Sequence, residues 1–137
     1  MVLKVVDLAS SVLDVRSDFS ISARELTPGK PQRVDGITIG YVESTHGFPH
    51  NGEVHPDGDE ILILLSGCLR VSADNLDDDV IIKPGSACIV SKGEWHKVHV
   101  VEPSTFIYAT PGPNGDHRDL SDEEMSAWQQ KMSEGDA

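Results

Sequence analysis

Two histidines and two glutamates are spaced along the chain in a way that could bind a metal ion. Side chains alternate between the faces of a strand, so Glu53 and His55 point to the same side. A Pro-Asp-Gly-Asp turn follows, and Glu60 opens the next strand, where it can face the same cavity. His96 follows a second tight turn farther along the chain. Two imidazoles with one or two carboxylates form a ligand set suited to a divalent ion.

The first of these segments resembles a motif of the cupin superfamily. The stretch Gly47-x5-Glu53-x-His55-x4-Glu60-x6-Gly67 is similar to the first cupin motif, Gly-x5-His-x-His-x3-4-Glu-x6-Gly. The spacings agree, but Glu53 stands where the motif has its first histidine.

The segment around His96 resembles the second cupin motif. The stretch Gly85-x5-Ser91-x-Gly93-x2-His96 is similar to Gly-x5-Pro-x-Gly-x2-His-x3-Asn. Ser91 replaces the proline of that motif, and Val100 replaces its final asparagine. The 17 residues between the two segments, 68–84, match the spacing of small cupins.

This resemblance implies an all-β fold, an antiparallel double-stranded β-helix of about six to eight strands, also called a jelly roll or cupin barrel. It further implies a metal ion near one mouth of the barrel, bound by His55, Glu60 and His96. Members of the superfamily use Mn, Fe, Ni, Cu or Zn.

Three roles remain open for Glu53. It could be a fourth ligand, and two carboxylates would then favour Mn or Fe, with Zn possible, over Cu. It could instead turn away or bind metal-bound water, leaving a two-histidine, one-carboxylate face. The metal could also be lost, with Glu53 a cavity acid or the partner of a cation. Without a cation, two buried carboxylates repel each other, and we expect at least one to take up a proton near neutral pH.

Three other polar residues are secondary candidates. A bulge at Gly52 would reverse the facing of His50 and make it a reserve ligand. Arg70 could reach into the cavity and bind a substrate carboxylate, or it could lie on the surface near 74–79. His99 lies three residues after His96 on a predicted strand, so it should face the exterior.

Short apolar segments separated by turn residues predict roughly seven to nine strands. The segments are Val34–Glu43, Glu60–Leu65, Leu69–Ser72, Val80–Ile82, Ala87–Val90, His96–Val101 and Thr105–Thr110. Ser-Gly at 66–67 predicts a hairpin, and Glu-Pro-Ser at 102–104 predicts a second break.

The chain ends are predicted to extend one central barrel. Residues 1–33 form an N-terminal extension packed on the barrel, with a short strand and then a helical turn within 3–15. The barrel covers 34–112, and a loop and helix cover 113–137. Ser121 and Glu124 fit a capping box, which predicts a helix over 122–132.

The composition limits the classes of partner and the location. The 137 residues include 23 acidic and 11 basic side chains, for a formal charge of −12. Such a charge repels nucleic acids and anionic membrane surfaces. No long apolar segment or secretory signal is evident, so we expect a cytoplasmic protein. Exposed edges of a small barrel favour pairing, which predicts a homodimer.

Two functions follow as hypotheses. The first is a small metal-dependent enzyme that acts on a small oxygenated substrate by isomerase, lyase or dioxygenase chemistry, with Glu53 as general base. The second is a non-catalytic cupin that binds or senses a small molecule. The fold alone cannot select a substrate.

Overall fold

A computed structural model describes residues 2–135, which form nine strands and one helix. Their bounds are β1 Ser11–Arg16, β2 Ile21–Glu25, β3 Gly36–Ser44, β4 His50–Val54, β5 Glu60–Ala73, β6 Val80–Ile82, β7 Ala87–Val90, β8 His96–Gly112, β9 Asp116–Asp119 and α1 Asp122–Gly135. The prediction of an all-β jelly-roll barrel with a short C-terminal helix is confirmed. In this part of the chain, no helix has the length and apolar character needed to cross a bilayer.

The two longest strands organise the sheet. β8 pairs with β3, β4 and β5, and β5 also pairs with β6 and β7. The other strands continue in the order β2-β1-β3-β8-β4-β9, and every pairing is antiparallel. β5 and β8 stay paired from Ile61 opposite Ala109 to Ala73 opposite His96. The barrel therefore closes around this long pair.

The core follows the two-residue period of the strands. On β5, Leu62 and Leu64 are buried, whereas the alternate residues Ile61 and Ile63 are exposed. The buried apolar cluster is Leu62, Leu64, Leu69, Val71, Ile82, Val90, Val98 and Phe106. Each such side chain contributes about 1.5–3 kcal/mol when fully buried.

The hairpin predicted at 66–67 is wrong, because β5 continues through these residues. The register of β5 against β8 shifts on both sides of Ser66, so the irregularity is a bulge and not a turn. Gly67 has φ +91°, and a Cβ there would collide with Ser104 and the carbonyl of Pro103. The break predicted at 102–104 is also wrong, since β8 runs through it.

The N-terminal prediction has its two elements in the wrong order. The amide of Ser11 donates to the carbonyl of Asp7 at 3.0 Å, which closes one helical turn, and β1 follows that turn. β1 then pairs with β2 and with β3. β9 was not predicted; it pairs with β4.

The C-terminal helix begins where its capping box predicts. The Ser121 amide donates to Glu124 Oε1 at 3.0 Å, and the Glu124 amide donates to Ser121 Oγ at 3.1 Å. The helix ends at Gly135, later than the predicted residue 132. Asn51 also donates to Glu124, at 3.1 Å, which ties the start of the helix to β4.

Candidate metal centre

Three strands bring the candidate ligands together. Glu53 on β4 pairs directly with His96, the first residue of β8. Glu60 opens β5, and His55 follows the last residue of β4. The pairing of β8 with both β4 and β5 therefore gathers the four side chains from separate parts of the chain.

The four side chains form one compact cluster. His96 Nε2 lies 3.1 Å from Glu60 Oε1 and 3.7 Å from Glu53 Oε1. His55 Nε2 lies 3.2 Å from Glu60 Oε2 and 3.4 Å from Glu53 Oε1. One donor atom from each residue falls within 4.8 Å of all the others. All four predicted residues therefore meet at one point in the structure.

Neighbouring groups fix two of these side chains. His96 Nδ1 lies 3.1 Å from the carbonyl of Glu94. A proton on Nδ1 would donate to this carbonyl, which leaves Nε2 as the nitrogen that faces the cluster. The hydroxyl of Thr110 donates to Glu60 Oε2. These contacts orient the imidazole and the carboxylate before any ion arrives.

Burial divides the cluster into an inner and an outer part. His55, Glu60 and His96 are 7%, 2% and 3% exposed. The side chain of Glu53 is 28% exposed. Glu53 is therefore the member of the cluster that a molecule from solvent meets first.

The pKa shifts favour charged carboxylates and protonated imidazoles, so the positive imidazoles balance the negative carboxylates. Burial raises the pKa of Glu60, but His55 and His96 outweigh it and lower the pKa to about 2. Burial lowers the pKa of His55, but Glu53 and Glu60 outweigh it and raise the pKa to about 9. Burial also raises the pKa of Glu53, yet the net direction is downward because of His55. These directions run against the expected protonated carboxyl, because imidazolium is the easier proton site between two carboxylates.

The arrangement fits a divalent cation. Buried His55 Nε2 lies 3.4 and 3.2 Å from the Glu53 and Glu60 carboxylates but forms a well-aligned hydrogen bond with neither. Metal–ligand distances of about 2.0–2.2 Å place neighbouring ligand atoms roughly 3.0–3.5 Å apart. The separations of 3.1–3.7 Å between nitrogen and oxygen atoms are close to that range. Two carboxylate charges would also balance a divalent ion.

The secondary candidates lie outside this cluster. The bulge at Gly52 is present, but His50 Nδ1 accepts from the Gly52 amide at 3.1 Å. Arg70 forms an ion pair with Asp79, so the surface alternative holds for this residue. His99 Nε2 lies 2.9 Å from Ser72 Oγ.

Thr110 is the residue of the candidate site that sequence reasoning missed. Its contact with Glu60 depends on the register of β8 against β5, which pairs Ala109 with Ile61. Only that register, and no motif, identifies this threonine. Glu94 contributes its backbone carbonyl. Every residue has this group, so the residue type at 94 could not predict the contact.

Comparisons with known proteins give no family assignment from sequence. No family model matches the chain, and no curated protein matches it.

Solved structures resemble the chain in fold at low sequence identity. A cupin-2 domain protein from Shewanella frigidimarina is 21% identical, over 64% of this chain and 85% of that one, with a TM-score of 0.47. A cupin superfamily protein from Desulfitobacterium hafniense is 18% identical, over 58% and 70% of the chains, with a TM-score of 0.49. Oxalate decarboxylase from Bacillus subtilis, a protein with Mn(II) centres, is 20% identical, over 61% of this chain and 24% of that one, with a TM-score of 0.50. This chain spans about a quarter of that enzyme, and the likeness concerns the fold. The strand order, the registers and this likeness together show that the chain has a cupin fold.

Proposed function

We propose that the protein binds one divalent metal ion in the cluster of Glu53, His55, Glu60 and His96, with His55, Glu60 and His96 as ligands and Glu53 as either a fourth ligand or a base. The observation that carries this proposal is the buried His55 Nε2, which has no hydrogen-bond partner and shares a 4.8 Å cluster with three other donors. A buried polar atom without a well-aligned hydrogen bond is costly even beside a carboxylate, and a cation at the centre of the cluster would satisfy all four residues at once.

The donor set favours Mn or Fe, with Zn as a third choice. Two carboxylate oxygens make the site hard, and two imidazoles suit first-row metals in general. The Bacillus subtilis decarboxylase with a similar fold has Mn(II) centres, so Mn(II) is the first ion to test.

We infer further that the loaded protein is an enzyme that acts on a small oxygenated substrate. A bound divalent ion would supply Lewis-acid chemistry to a carbonyl, hydroxyl or carboxylate. Glu53 is the accessible carboxylate of the cluster and keeps its charge near neutral pH, so it can accept a proton from a molecule beside it. Isomerisation, elimination and dioxygenation all need such a base or an open site, and the substrate is a small molecule in each case.

A non-catalytic binding protein is the second candidate, and one observation favours it. Four protein donors lie close enough to share one ion. Zn, which is tetrahedral in structural sites, would have no open position with four protein ligands. The two functions therefore differ in whether Glu53 is a ligand or a free base.

Glu53→Gln separates the two functions. The amide keeps the size of the side chain but removes its charge and basicity. For an enzyme with Glu53 as base, the Mn(II)-loaded variant keeps its metal and loses turnover on a panel of small hydroxy and keto acids. Water proton relaxation of the Mn(II)-loaded wild type should also show an exchangeable water.

The opposite pattern would contradict the enzyme. Wild type that holds Mn(II) with no exchangeable water and no turnover, together with loss of metal in Glu53→Gln, would make Glu53 a ligand of a closed site. His99→Gln is the matched control, because His99 lies on β8 with His96 but outside the cluster. The cytoplasmic location and the absence of nucleic-acid partners stay predictions from composition.

A further inference from the structure

A bulge in β4 turns the side chain of His50 to the same side of the strand as Glu53. On β9, Asp119 pairs with His50 and His117 pairs with Glu53. Residues 51–52 therefore lie opposite a single residue of β9. Two residues opposite one reverse the usual alternation, so positions three apart then share a face. Since Glu53 belongs to the inner cluster, His50 also faces the interior of the barrel.

A backbone contact fixes the orientation of the His50 ring. The amide of Gly52, a residue with φ +125°, donates to His50 Nδ1 at 3.1 Å. A nitrogen that accepts from an N–H carries no proton, so the neutral ring has its proton on Nε2. Nε2 is the ring nitrogen farther from the backbone, so its N–H points away from β4 and into the barrel.

Aromatic contacts hold the His50 ring against the core. The ring is stacked on Phe48, with centroids 6.2 Å apart and an angle of 15° between the planes. Phe48 meets Phe106 edge to face at 6.0 Å, and Phe106 is buried in the core. His50 is therefore held both at its ring face and at Nδ1, with an apolar surface beside it.

Nε2 is the part of His50 that remains open to a ligand. Within residues 2–135 it forms no hydrogen bond, and it is not among the buried unpaired nitrogens of this part of the chain. Burial is the main influence on the pKa of His50 and lowers it, although the nearby charge of Glu53 acts in the opposite direction. The ring therefore offers a neutral donor near pH 7, beside a charged carboxylate.

A neutral donor next to a base suits proton abstraction beside a carbonyl group. When such a C–H bond breaks, the proton passes to the base and the electron pair moves to the carbonyl oxygen. A neutral imidazole N–H stabilises the charge that develops on that oxygen. Return of the proton to the same carbon or to a neighbouring one completes an exchange or an isomerisation, with no net oxidation or reduction.

We propose that His50 is the hydrogen-bond donor of the candidate site, and that the substrate is a small carbonyl compound with a C–H bond next to the carbonyl. The carbonyl oxygen binds His50 Nε2–H, Glu53 removes the adjacent proton, and the apolar part of the molecule packs on Phe48. The net charge of −12 favours an uncharged or singly charged compound. This assignment rests on the proposed metal-dependent enzyme and selects proton transfer among its reaction classes.

His50→Phe and His50→Gln test the assignment as a pair. Phenylalanine keeps the stacking on Phe48 and has no donor, whereas glutamine keeps a donor and has no aromatic ring. Deuterium uptake from deuterated water into pyruvate and dihydroxyacetone, measured by mass spectrometry with the Mn(II)-loaded protein, reports proton abstraction. We expect wild type to exchange at least one of these probes, with a loss of about 100-fold in His50→Phe and a smaller loss in His50→Gln. A purely structural role of the ring would give the reverse order and would overturn the assignment.

A second readout needs no metal. In metal-free protein with isotope-labelled histidine, nitrogen NMR at pH 7 should show His50 Nδ1 as the unprotonated nitrogen and Nε2 as the protonated one. The opposite tautomer or a charged ring would overturn the assignment. His99→Gln is the matched control for both readouts, because His99 contacts Ser72 outside the cluster, and it should behave as wild type does.

Calorimetric titration with Mn(II) separates the role of His50 from the proposed metal site. His50→Phe should bind Mn(II) as wild type does, because His50 lies outside the cluster. A wild type that binds no Mn(II) would overturn the enzyme and the assignment together. A wild type that binds Mn(II) but exchanges neither probe, or exchanges them no faster than His50→Phe, would overturn the assignment alone. If His50→Phe does not unfold cooperatively in urea, His50→Leu takes its place with the same expected loss.

Discussion

Soluble proteins usually bury apolar side chains and expose polar ones. On the same strands of this protein, the inner surface buries polar side chains and the outer surface exposes apolar ones. Inside, Asp14, Thr38, Thr110 and Glu60 form a buried polar row that crosses β1, β3, β8 and β5. Outside, the adjacent row is Leu13, Ile39, Ala109 and Ile61, which is apolar and half-buried to exposed. A buried polar group or an exposed apolar patch is more informative than the ordinary pattern.

The two surfaces differ in whether their unusual side chains find partners within the chain. The inner row is satisfied by pairing: Arg24 donates to both oxygens of Asp14 at 2.8 and 3.1 Å, and Thr38 donates to Asp14 at 2.8 Å. Near Glu60 the pairing is incomplete, because His55 Nε2 lacks a partner. The outer row has no partner within the described part of one chain. The inner anomaly therefore supports the proposed ion, whereas the outer row faces solvent in one chain.

Glu60→Gln should have the largest effect on the inner surface. The substitution leaves two buried imidazoles without their shared carboxylate, and breaking a buried charged network costs about 3–5 kcal/mol. Urea unfolding of the metal-free protein measures this loss. Glu102→Gln on the exposed part of β8 is the control and should change stability by less than about 0.5 kcal/mol. A loss below about 1 kcal/mol for Glu60→Gln would contradict the network.

Asp14→Asn should have the second largest effect, at the other end of the inner row. The amide weakens the paired hydrogen bonds from Arg24, and we expect a loss of about 2–3 kcal/mol. Arg24 is the main cause that lowers the pKa of Asp14. The stabilisation is therefore present above the unfolded pKa near 3.8 and is lost as pH falls through the lower folded value. Urea unfolding at pH 7 and pH 3 checks both parts, and an equal loss at the two pH values would show that the charge of Asp14 is not involved.

Thr110→Val should weaken metal binding with little change in side-chain volume. Loss of a hydrogen bond to a metal ligand typically costs 10–100-fold in affinity, so we expect about that range for Mn(II). Calorimetric titration gives the affinity.

Thr38→Val is the matched control for this prediction. Thr38 pairs with Thr110 across the strands but donates to Asp14 and not to Glu60. It should reduce stability and leave the Mn(II) affinity unchanged. Equal effects of the two variants on affinity would show that the contact with Glu60 does not orient the ligand.

The pH dependence of folding stability should differ between the metal-free and the metal-loaded protein. We expect this difference to be smaller than the effects of the substitutions above. The pKa of His55 is raised to about 9, so its protonation stabilises the metal-free fold below about 6.5, and this stabilisation is lost as pH rises through about 9. Metal binding displaces that proton, so affinity for the ion should rise over the same range. Thermal unfolding at pH 6 and pH 9.5 should show the metal-free protein losing roughly 1–2 kcal/mol while the Mn(II)-loaded protein gains stability. Parallel changes in the two forms would contradict the role of His55.

The sequence predicted the cluster better than it predicted the strands around it. Spacing and alternation placed Glu53, His55, Glu60 and His96 together, because motif spacing reports turns of fixed length. The hairpin at 66–67 was mistaken because Ser-Gly suits a bulge as well as a turn. Thr110 and the outer row depend on register between strands far apart in sequence, and a single chain gives no local signal for register.

Metal analysis tests the central claim most directly. Protein purified without a polyhistidine tag and dialysed against Mn(II) should hold one ion per chain by elemental analysis. His96→Gln should lose it, whereas His99→Gln on the same strand should keep it. Wild type that holds no Mn(II), Fe(II) or Zn(II) after such loading, with Glu53→His gaining an ion, would contradict the claim and show that the cluster is held together by its own charges.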